Sequence, residues 1–482
     1  MPTEFHRRCE LTDHADANAA ELLGASIEFP TAGRTAQNRF FKSALSEQMA
    51  TFTPDQLKTH GIPTDILVNL YEKWGHGKFG VILTGNVIID HRHLEAPGNV
   101  IISAETDSVE KRKKLAELAE AMKADGALAV VQLGHAGRQT PATINPAPFS
   151  SVDVGIRPVR TAYGKPQPLT VAQIQTEVID RFVFAAKACF KAGFDGIQLH
   201  GSHGYLLTQF LSAKINTRKD EYGGPVENRI RLVEEVYSAI RRELPPETGF
   251  VIGIKMNSAD AEMGKLDDVL YLARRFDEMG FDFIEMSGGS YENFQLIHKR
   301  ESTKQREAFF LECSAAIKPE LKRTVLFLTG GFRTLPAMWK ALERNEVDGI
   351  GIGRPAAAEP DLPAKILDGR VRSCVYNHFD QDFGTSMLQG QTQMRQMGAT
   401  KWAECNDDPC FGISDFSRLK EAENFESGVM LHMLSAIKSE LIFRTPFDQH
   451  FDYDPAKKYD SWLARFTKYV VGAFSKFNGF KV

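Results

Sequence analysis

Short apolar runs rich in β-branched and aromatic residues recur along the chain as far as about residue 353. They occupy residues 39–45 (RFFKSAL), 79–89 (FGVILTGNVII), 128–133 (LAVVQL), 194–200 (FDGIQLH), 251–257 (VIGIKMN), 281–287 (FDFIEMS), 325–329 (VLFLT) and 347–353 (VDGIGIG). Nearly continuous runs of this length are the pattern of strands buried on both faces. Between them the apolar positions recur at helical spacing. Residues 109–124 place Leu115, Leu118, Ala119 and Met122 on one face, and residues 171–192, 227–243, 267–279, 307–317 and 335–345 behave alike. Gly193 and Gly280 close two of these segments just before a strand, where a left-handed cap favours glycine.

About eight strands, each followed by a helix, predict a parallel sheet. No G-x-G-x-x-G follows an early strand, which argues against a doubly wound dinucleotide-binding sheet. Strand number and spacing predict an α/β fold, a (β/α)8 TIM barrel. The expected organisation is an N-terminal arm over residues 1–25, the barrel over 26–375 and a C-terminal extension over 376–482. In the extension the alternation stops. Residues 376–398 are polar and rich in Gln and Met, residues 416–443 have a helical pattern, and Pro446 and Pro455 break the aromatic, charged end. A mostly helical or irregular appendage is expected there.

Composition narrows the function classes. The chain has 482 residues, 43% hydrophobic and 25% charged, with a mean hydropathy of -0.27. Such a chain buries a sizeable core and is neither disordered nor collagen-like. Length alone suggests about two to four domains, and the strand count reduces that to one barrel with an appendage. Lys and Arg number 58 against 62 Asp and Glu, for a net charge of -4. No basic excess points to nucleic acid or to an anionic membrane. Six cysteines are too few for a disulfide scaffold and fit a reducing compartment. The opening MPTEFHRRCE has no apolar core of a signal peptide, and no run of about 18 apolar residues is present. A cytoplasmic protein acting on a small molecule is expected, with homo-oligomerisation left open.

In a barrel the chemistry sits at the C-terminal ends of the strands. The richest such segment is IQLHGSHGYLLTQFLSAKINTRKDEYGGPVENRIRL, which sets His200, His203 and Tyr205 just past a strand. The spacing H-x-x-H-x-Y has three readings: two structural histidines, part of a metal site, or a pair of donors that polarises a substrate oxygen beside a phenolic acid. A neutral imidazole offers one N–H, and a phenol is protonated at neutral pH. A phosphate site is suggested by TGG at residues 329–331 and GIGRP at 351–355, after the seventh and eighth strands. Glycine lets backbone N–H groups approach an anion, and Arg354 adds a fork that fits phosphate oxygens.

Together with NRFFKSALSE, VVQLGHAGRQ, LTGGFRT and GIGRPAAAEPDL, the segment LHGSHGYLLTQFLS followed by DEYGGPVENRIR resembles the old yellow enzyme family. These are FMN-dependent NAD(P)H oxidoreductases on a (β/α)8 barrel, and the resemblance covers about residues 26–368. It implies an ene-reductase with FMN as cofactor and NADH or NADPH as electron donor. His200 and His203 would hold the oxygen of an enone, enal or nitroalkene over the flavin. Hydride would pass from flavin N5 to the substrate β-carbon, and Tyr205 would protonate the α-carbon. Gln132 resembles the family's Gln on the flavin pyrimidine edge. Ser43, Ala44, Leu45 and Ser46 would underlie the ring, with the Ser46 hydroxyl donating to it, and Asn86 would touch it through the backbone. Arg231 resembles the Arg near flavin N1 and O2. Gly330, Gly331, Gly353 and Arg354 would take the phosphate, and Arg138 would border the substrate.

Other features read as plain structure. His91 and His93 in DHRHL are expected in a solvated loop, with a place at the pocket mouth as the alternative, and Lys111–Lys114 forms a solvated helix face. Cys405 and Cys410 do not resemble the four-cysteine cluster segment of some relatives, so neither a cluster nor any other metal is expected. Ala44 stands where proline is common, and Ser46 where relatives carry Cys or Thr. Two rival functions remain at this stage: a metal-dependent barrel hydrolase built on His200 and His203, and a flavin-binding interaction protein without turnover.

Overall fold

The computed structural model describes residues 7–11, 13–156, 162–260, 263–288, 310–380, 382–438 and 451–459. Eight parallel strands form a closed sheet: β1 (Phe40–Lys42), β2 (Val81–Ile88), β3 (Leu128–Gly134), β4 (Gly196–Gly201), β5 (Val251–Asn257), β6 (Phe283–Ser287), β7 (Val325–Thr329) and β8 (Gly349–Ile352). Each pairs with its neighbours in sequence, and β8 pairs with β1 to close the ring. Helices α1 (Asp65–Gly75), α2 (Val109–Met122), α3 (Asp180–Lys191), α4 (Arg231–Glu243), α5 (Leu266–Met279), α6 (Leu311–Ile317), α7 (Leu335–Glu343) and α8 (Leu362–Leu367) follow β1 to β8 in turn. This is the (β/α)8 barrel that the apolar runs predict.

The strands carry two apolar faces because successive side chains point to opposite sides. Outward residues such as Val131, Leu133, Ile197, Leu199, Ile254 and Leu328 join the helices in one large core. Inward residues Phe41, Val81, Leu128, Val251, Phe283 and Phe327 form a second core inside the barrel. An antiparallel hairpin, Ile27–Phe29 with Arg34–Ala36, closes the N-terminal end. Its Phe29 meets the rings of Phe283 and Phe327 at 6.1 and 6.3 Å. Toward the C-terminal ends the inward positions turn polar, with Gln132, Gln198, His200, Lys255, Asn257, Glu285 and Ser287 all buried.

Three elements differ from the expected pattern. Helix α1 was not among the expected helices, although Leu67, Leu70, Tyr71 and Trp74 recur at helical spacing and Thr64 caps it by accepting from Leu67 N. The polar, proline-containing loop before it masks its start. The helix expected over 171–192 contains a π segment, Gln175–Ile179, before α3. In the extension, the Gln- and Met-rich stretch is helix α9 (Phe383–Gly398), and α10 (Leu419–Lys438) follows. Helix α9 packs on α1, where the buried Lys73 ammonium donates to the Thr400 carbonyl at 2.5 Å and its hydroxyl at 2.7 Å. A small core of Phe379, Leu388, Phe416, Phe425, Val429, Phe451 and Tyr453 lies in the extension.

One local device aims the site. The β2–β3 register shifts between Leu83 and Asn86, an irregularity that re-aims the following side chain. Gly85 lies in that shift, and a Cβ on it would come within 2.1 Å of both the Glu47 carboxylate and the Leu45 carbonyl. Gly85→Ala is therefore expected to lower stability by about 2 kcal/mol or more through overpacking. A melting temperature equal to that of the native protein would refute the close approach.

Candidate active site

The floor of the barrel mouth is a buried polar layer. The Gln132 amide donates to Gln198 Oε1 at 2.7 Å, and Gln198 donates to Glu285 Oε2 at 2.8 Å. Glu285 Oε1 accepts from Lys255 Nζ at 2.9 Å and from the Thr329 hydroxyl at 2.7 Å. Ser43 Oγ lies 2.6 Å from Thr329 Oγ1 and donates to it, since the threonine proton goes to Glu285. Side chains from β4, β5 and β7 thus meet on the one carboxylate of β6, with Gln132 and Ser43 bonded to its partners. Register makes this local, because Gln132 pairs with Gln198 and Lys255 with Glu285 across neighbouring strands.

Above this layer the predicted pair is joined. His200 Nε2 lies 3.2 Å from His203 Nδ1, His200 Nδ1 lies 2.7 Å from Asn86 Oδ1, and His203 Nε2 lies 3.0 Å from Ser287 Oγ. Tyr205 stands with its ring centroid 4.6 Å from that of His200 and accepts from the Asn86 amide at 3.3 Å. Burial, then the charges of His203 and Lys255, hold His200 well below the usual imidazole range. Burial and then Lys255 pull His203 down to about 3. Both rings are neutral at physiological pH.

The turn that presents them is strained. His203 has a φ of +59° and Gly204 a φ of +80°. A non-glycine residue in this region persists only where its surroundings hold it. Asn257, at the end of β5, does so by accepting from the His203 N–H at 2.9 Å and from the Ser202 hydroxyl. The Tyr205 N–H then bonds Ser202 O at 3.3 Å, and a short helix, Leu206–Leu211, begins.

The two glycine loops flank a charged cleft. Gly330 and Gly331 have φ of +147° and +91°. A Cβ on Gly351 would lie 1.9 Å from Thr329 Oγ1, so β7 and β8 approach too closely there for any side chain. Arg354 donates to Ser386 Oγ at 2.5 Å and lies 3.8 Å from Asp380, which also pairs with Arg333 at 3.0 Å. Burial and then the charge of Arg333 push Arg354 down to about 10. Among the described residues two guanidinium groups share one carboxylate, an arrangement suited to an anion.

Two expected residues, Arg231 and Ser46, spend their donors on protein partners. Arg231 opens α4 and donates to the Glu221 carbonyl at 2.8 Å among exposed groups, because Ile230, Leu232 and Val233 take the inward side of that turn. The cation that faces the histidines is Lys255. Arg138 is buried, with its guanidinium donating to the Val154 carbonyl at 3.3 Å. Asn86 contributes its side chain as well as its backbone position. The Ser46 hydroxyl donates to Glu95 at 3.1 Å. Asp90 and His93 are buried, contrary to a solvated loop, with Arg92 bidentate on Asp90 at 2.9 and 2.6 Å.

Asp90, His93 and His135 lie close enough to share a cation. Yet His93 Nε2 accepts from Phe149 N at 2.8 Å and His135 Nδ1 from Gly137 N at 3.0 Å. In a neutral ring the remaining nitrogen carries the proton, so neither imidazole keeps a spare lone pair for a cation, although His93 Nδ1 and His135 Nε2 make no hydrogen bond of their own. His200 and His203 spend all four ring nitrogens on protein partners.

Lys255, Glu285, Gln198, Asn257 and Glu95 were not singled out from the sequence. Four of them had a signal: a polar residue at the inward position of an apolar strand, as in GIQLH, GIKMN and FIEMS. Glu95 lies in a loop and had none.

Lys255→Met leaves the Glu285 carboxylate buried without its cation, and a loss of about 3–5 kcal/mol is expected; an unshifted denaturant midpoint would contradict this. The histidines give a pH signature. Between about pH 6.5 and 3 the unfolded chain takes up a proton at His203 that the folded state refuses, so stability falls as pH drops through that window. His203→Gln removes one such proton, and its stability curve on the acid side should be flatter than the native one.

A family model described as the NADH:flavin oxidoreductase / NADH oxidase family matches residues 33–373. The chain is 39% identical over 384 residues to the NADH-dependent flavin oxidoreductase nadA of Aspergillus parasiticus, covering 78% of this chain and 85% of that protein. It is 33% identical over 362 residues to the NADH-dependent flavin oxidoreductase iccE of Talaromyces variabilis, covering 70% and 84%. Among solved structures, the old yellow enzyme homologue of Zymomonas mobilis superposes with a TM-score of 0.60 at 25% identity, over 73% of this chain and 94% of that one. With the barrel, the histidine pair and these matches in agreement, the chain belongs to the NADH:flavin oxidoreductase family of old yellow enzymes.

Proposed function

We propose that this protein is an FMN-dependent ene-reductase that reduces the activated C=C bond of an α,β-unsaturated carbonyl or nitro compound with electrons from NADH or NADPH. The observation that carries the reading is the convergence of His200, His203 and Tyr205 above the polar layer of Gln132, Lys255 and Glu285.

The residues present fit FMN. The strand-end layer offers an amide at Gln132 and a buried cation at Lys255, in the place expected of Arg231. The ends of β1 and β2, from Ser43 through Ala44, Leu45 and Ser46 and at Asn86, line the mouth. Gly330, Gly331 and Gly353, half-buried and without side chains, end the last two strands near Arg354, whose positive charge suits a phosphate. FMN held by these residues would supply hydride chemistry between the nicotinamide and the substrate β-carbon.

The chain's own residues do the rest. A neutral imidazole N–H from the His200–His203 pair meets the substrate oxygen and stabilises the charge that develops there. Tyr205 holds a proton at its hydroxyl for the α-carbon. The Asn86 amide bonds the phenolic oxygen and so keeps the ring in place. Arg138, fixed at the Val154 carbonyl, borders this space.

An absorbance spectrum of the purified protein, followed by anaerobic addition of NADH or NADPH and then an enone, tests the reading. A flavin spectrum that bleaches and returns is expected. A protein that cannot be loaded with FMN refutes it, and loaded protein that never reoxidises with enones or nitroalkenes favours binding without turnover. In Tyr205→Phe, bleaching by nicotinamide should persist while enone reduction slows by about 10²-fold or more. Equal loss of both half-reactions would remove Tyr205 as proton donor.

A further inference from the structure

We propose that Cys9 and Cys374 are a dithiol site that reduces a low-molecular-weight disulfide and becomes a reversible protein disulfide, fastening the N-terminal arm to the junction of barrel and extension. The proposal goes beyond the flavin reading and does not rest on it.

The backbone brings the two residues face to face. Arg8 and Val375 form an antiparallel bridge, with the Tyr376 N–H on Arg7 O at 2.8 Å and the Cys9 N–H on Cys374 O at 3.0 Å. One step along, Cys9 stands opposite Cys374. The Cα atoms of a pair hydrogen-bonded across such a ladder are about 5.5 Å apart, inside the span of about 4.4–6.8 Å that disulfides bridge. The two sulfurs lie 3.7 Å apart, and a bond of about 2.05 Å needs a further approach of about 1.7 Å. Several contacts hold this register. The Arg8 guanidinium, forked onto Glu359, also donates to Ser373 O at 2.5 Å, and Ser373 Oγ donates to Cys9 O at 2.8 Å. The Arg7 guanidinium lies 4.1 Å over the Tyr376 ring. Cys405 and Cys410 are bonded to oxygen instead, the Lys401 carbonyl at 3.1 Å and the Asp361 carboxylate at 3.3 Å.

Cys9 is half-buried and Cys374 is buried, so Cys9 is the sulfur that a reagent meets. Its thiolate attacks one sulfur of a small disulfide such as oxidised glutathione. That S–S bond breaks, and the first glutathione thiolate leaves with the proton that Cys9 lost. Cys374 then gives up its proton and attacks Cys9 Sγ. The bond from Cys9 to glutathione breaks, and the second glutathione thiolate takes that proton. Two protein thiols are oxidised and one small disulfide is reduced to two thiols. The hydrogen bond with Cys9, and then burial, hold the Cys374 thiol above the usual range, while the Arg333 cation draws it down. Once Cys9 carries glutathione its thiol is gone, and the first of these effects goes with it.

The link has a structural consequence. It closes a loop between residues 365 apart, which removes conformational freedom from the unfolded chain. The Cys374 N–H bonds Arg333 O at 2.9 Å, so the arm is fastened beside the two-arginine cleft.

The test reads masses. Full-length protein with its own cofactor is incubated with oxidised glutathione and unfolded, and its remaining thiols are blocked with N-ethylmaleimide. Peptide masses should show Cys9 joined to Cys374, with Cys189, Cys313, Cys405 and Cys410 blocked. Dithiothreitol should restore both thiols. The linked protein should melt at a higher temperature than the reduced one. In Cys374→Ser the exchange should stop at a glutathione adduct on Cys9, and the gain in melting temperature should vanish. Native protein with Cys9 and Cys374 both still blocked overturns the proposal. So does a lasting glutathione adduct on native Cys9, a disulfide to a different cysteine, or linked protein that melts with the reduced form. The native measurement needs no variant, so a misfolded Cys374→Ser leaves the proposal open to refutation.

Discussion

The Glu285 carboxylate is the interaction on which the mouth of this barrel depends. It is fully buried, and it is met by an ammonium, an amide and a hydroxyl from three other strands. An ionised group this deep is tolerated only when its lone pairs are used. Once it is in place, Lys255 has a fixed position, and its charge adds to the burial that keeps both histidines neutral. A buried pair of this kind adds little net stability over apolar residues of the same volume. Its value here lies in holding a positive charge under the pocket and a defined order among the polar side chains.

The same mouth stores conformational strain. His203 occupies a left-handed backbone position that an ordinary side chain disfavours, and Asn257 from the next strand secures it. Gly85 and Gly351 permit approaches that any Cβ would block, one behind Asn86 and one between Thr329 and Ser43. Local backbone choices that weaken an isolated strand therefore bring side chains from separate strands into one hydrogen-bonded set.

The extension is part of the site's support. Asp380 and Ser386 belong to it, and they hold Arg333 and Arg354 beside the last two strands of the barrel. Helix α9 accepts the buried Lys73 ammonium of α1 through its C-terminal turn and Thr400. The N-terminal segment reaches the same region, where Arg8 forks onto Glu359 at 3.0 and 2.6 Å. Arg8 and the first residues of the extension thus both lie beside the segment that follows the eighth strand.

The sequence by itself determined the barrel, because a strand buried on both faces must be apolar at every position until its inner end turns polar. It also carried His200, His203 and Tyr205, whose spacing sets them on one turn past a strand end, a turn that Asn257 from the next strand then holds. Tertiary structure decided what lay between strands. Lys255 rather than Arg231 faces the histidines because inward and outward positions differ by a single residue along an element, and only the closed sheet defines which side is inward. Glu95 entered the site from a loop with no periodicity to betray it. There its carboxylate meets the Asn86 amide, a contact between segments that no local pattern encodes.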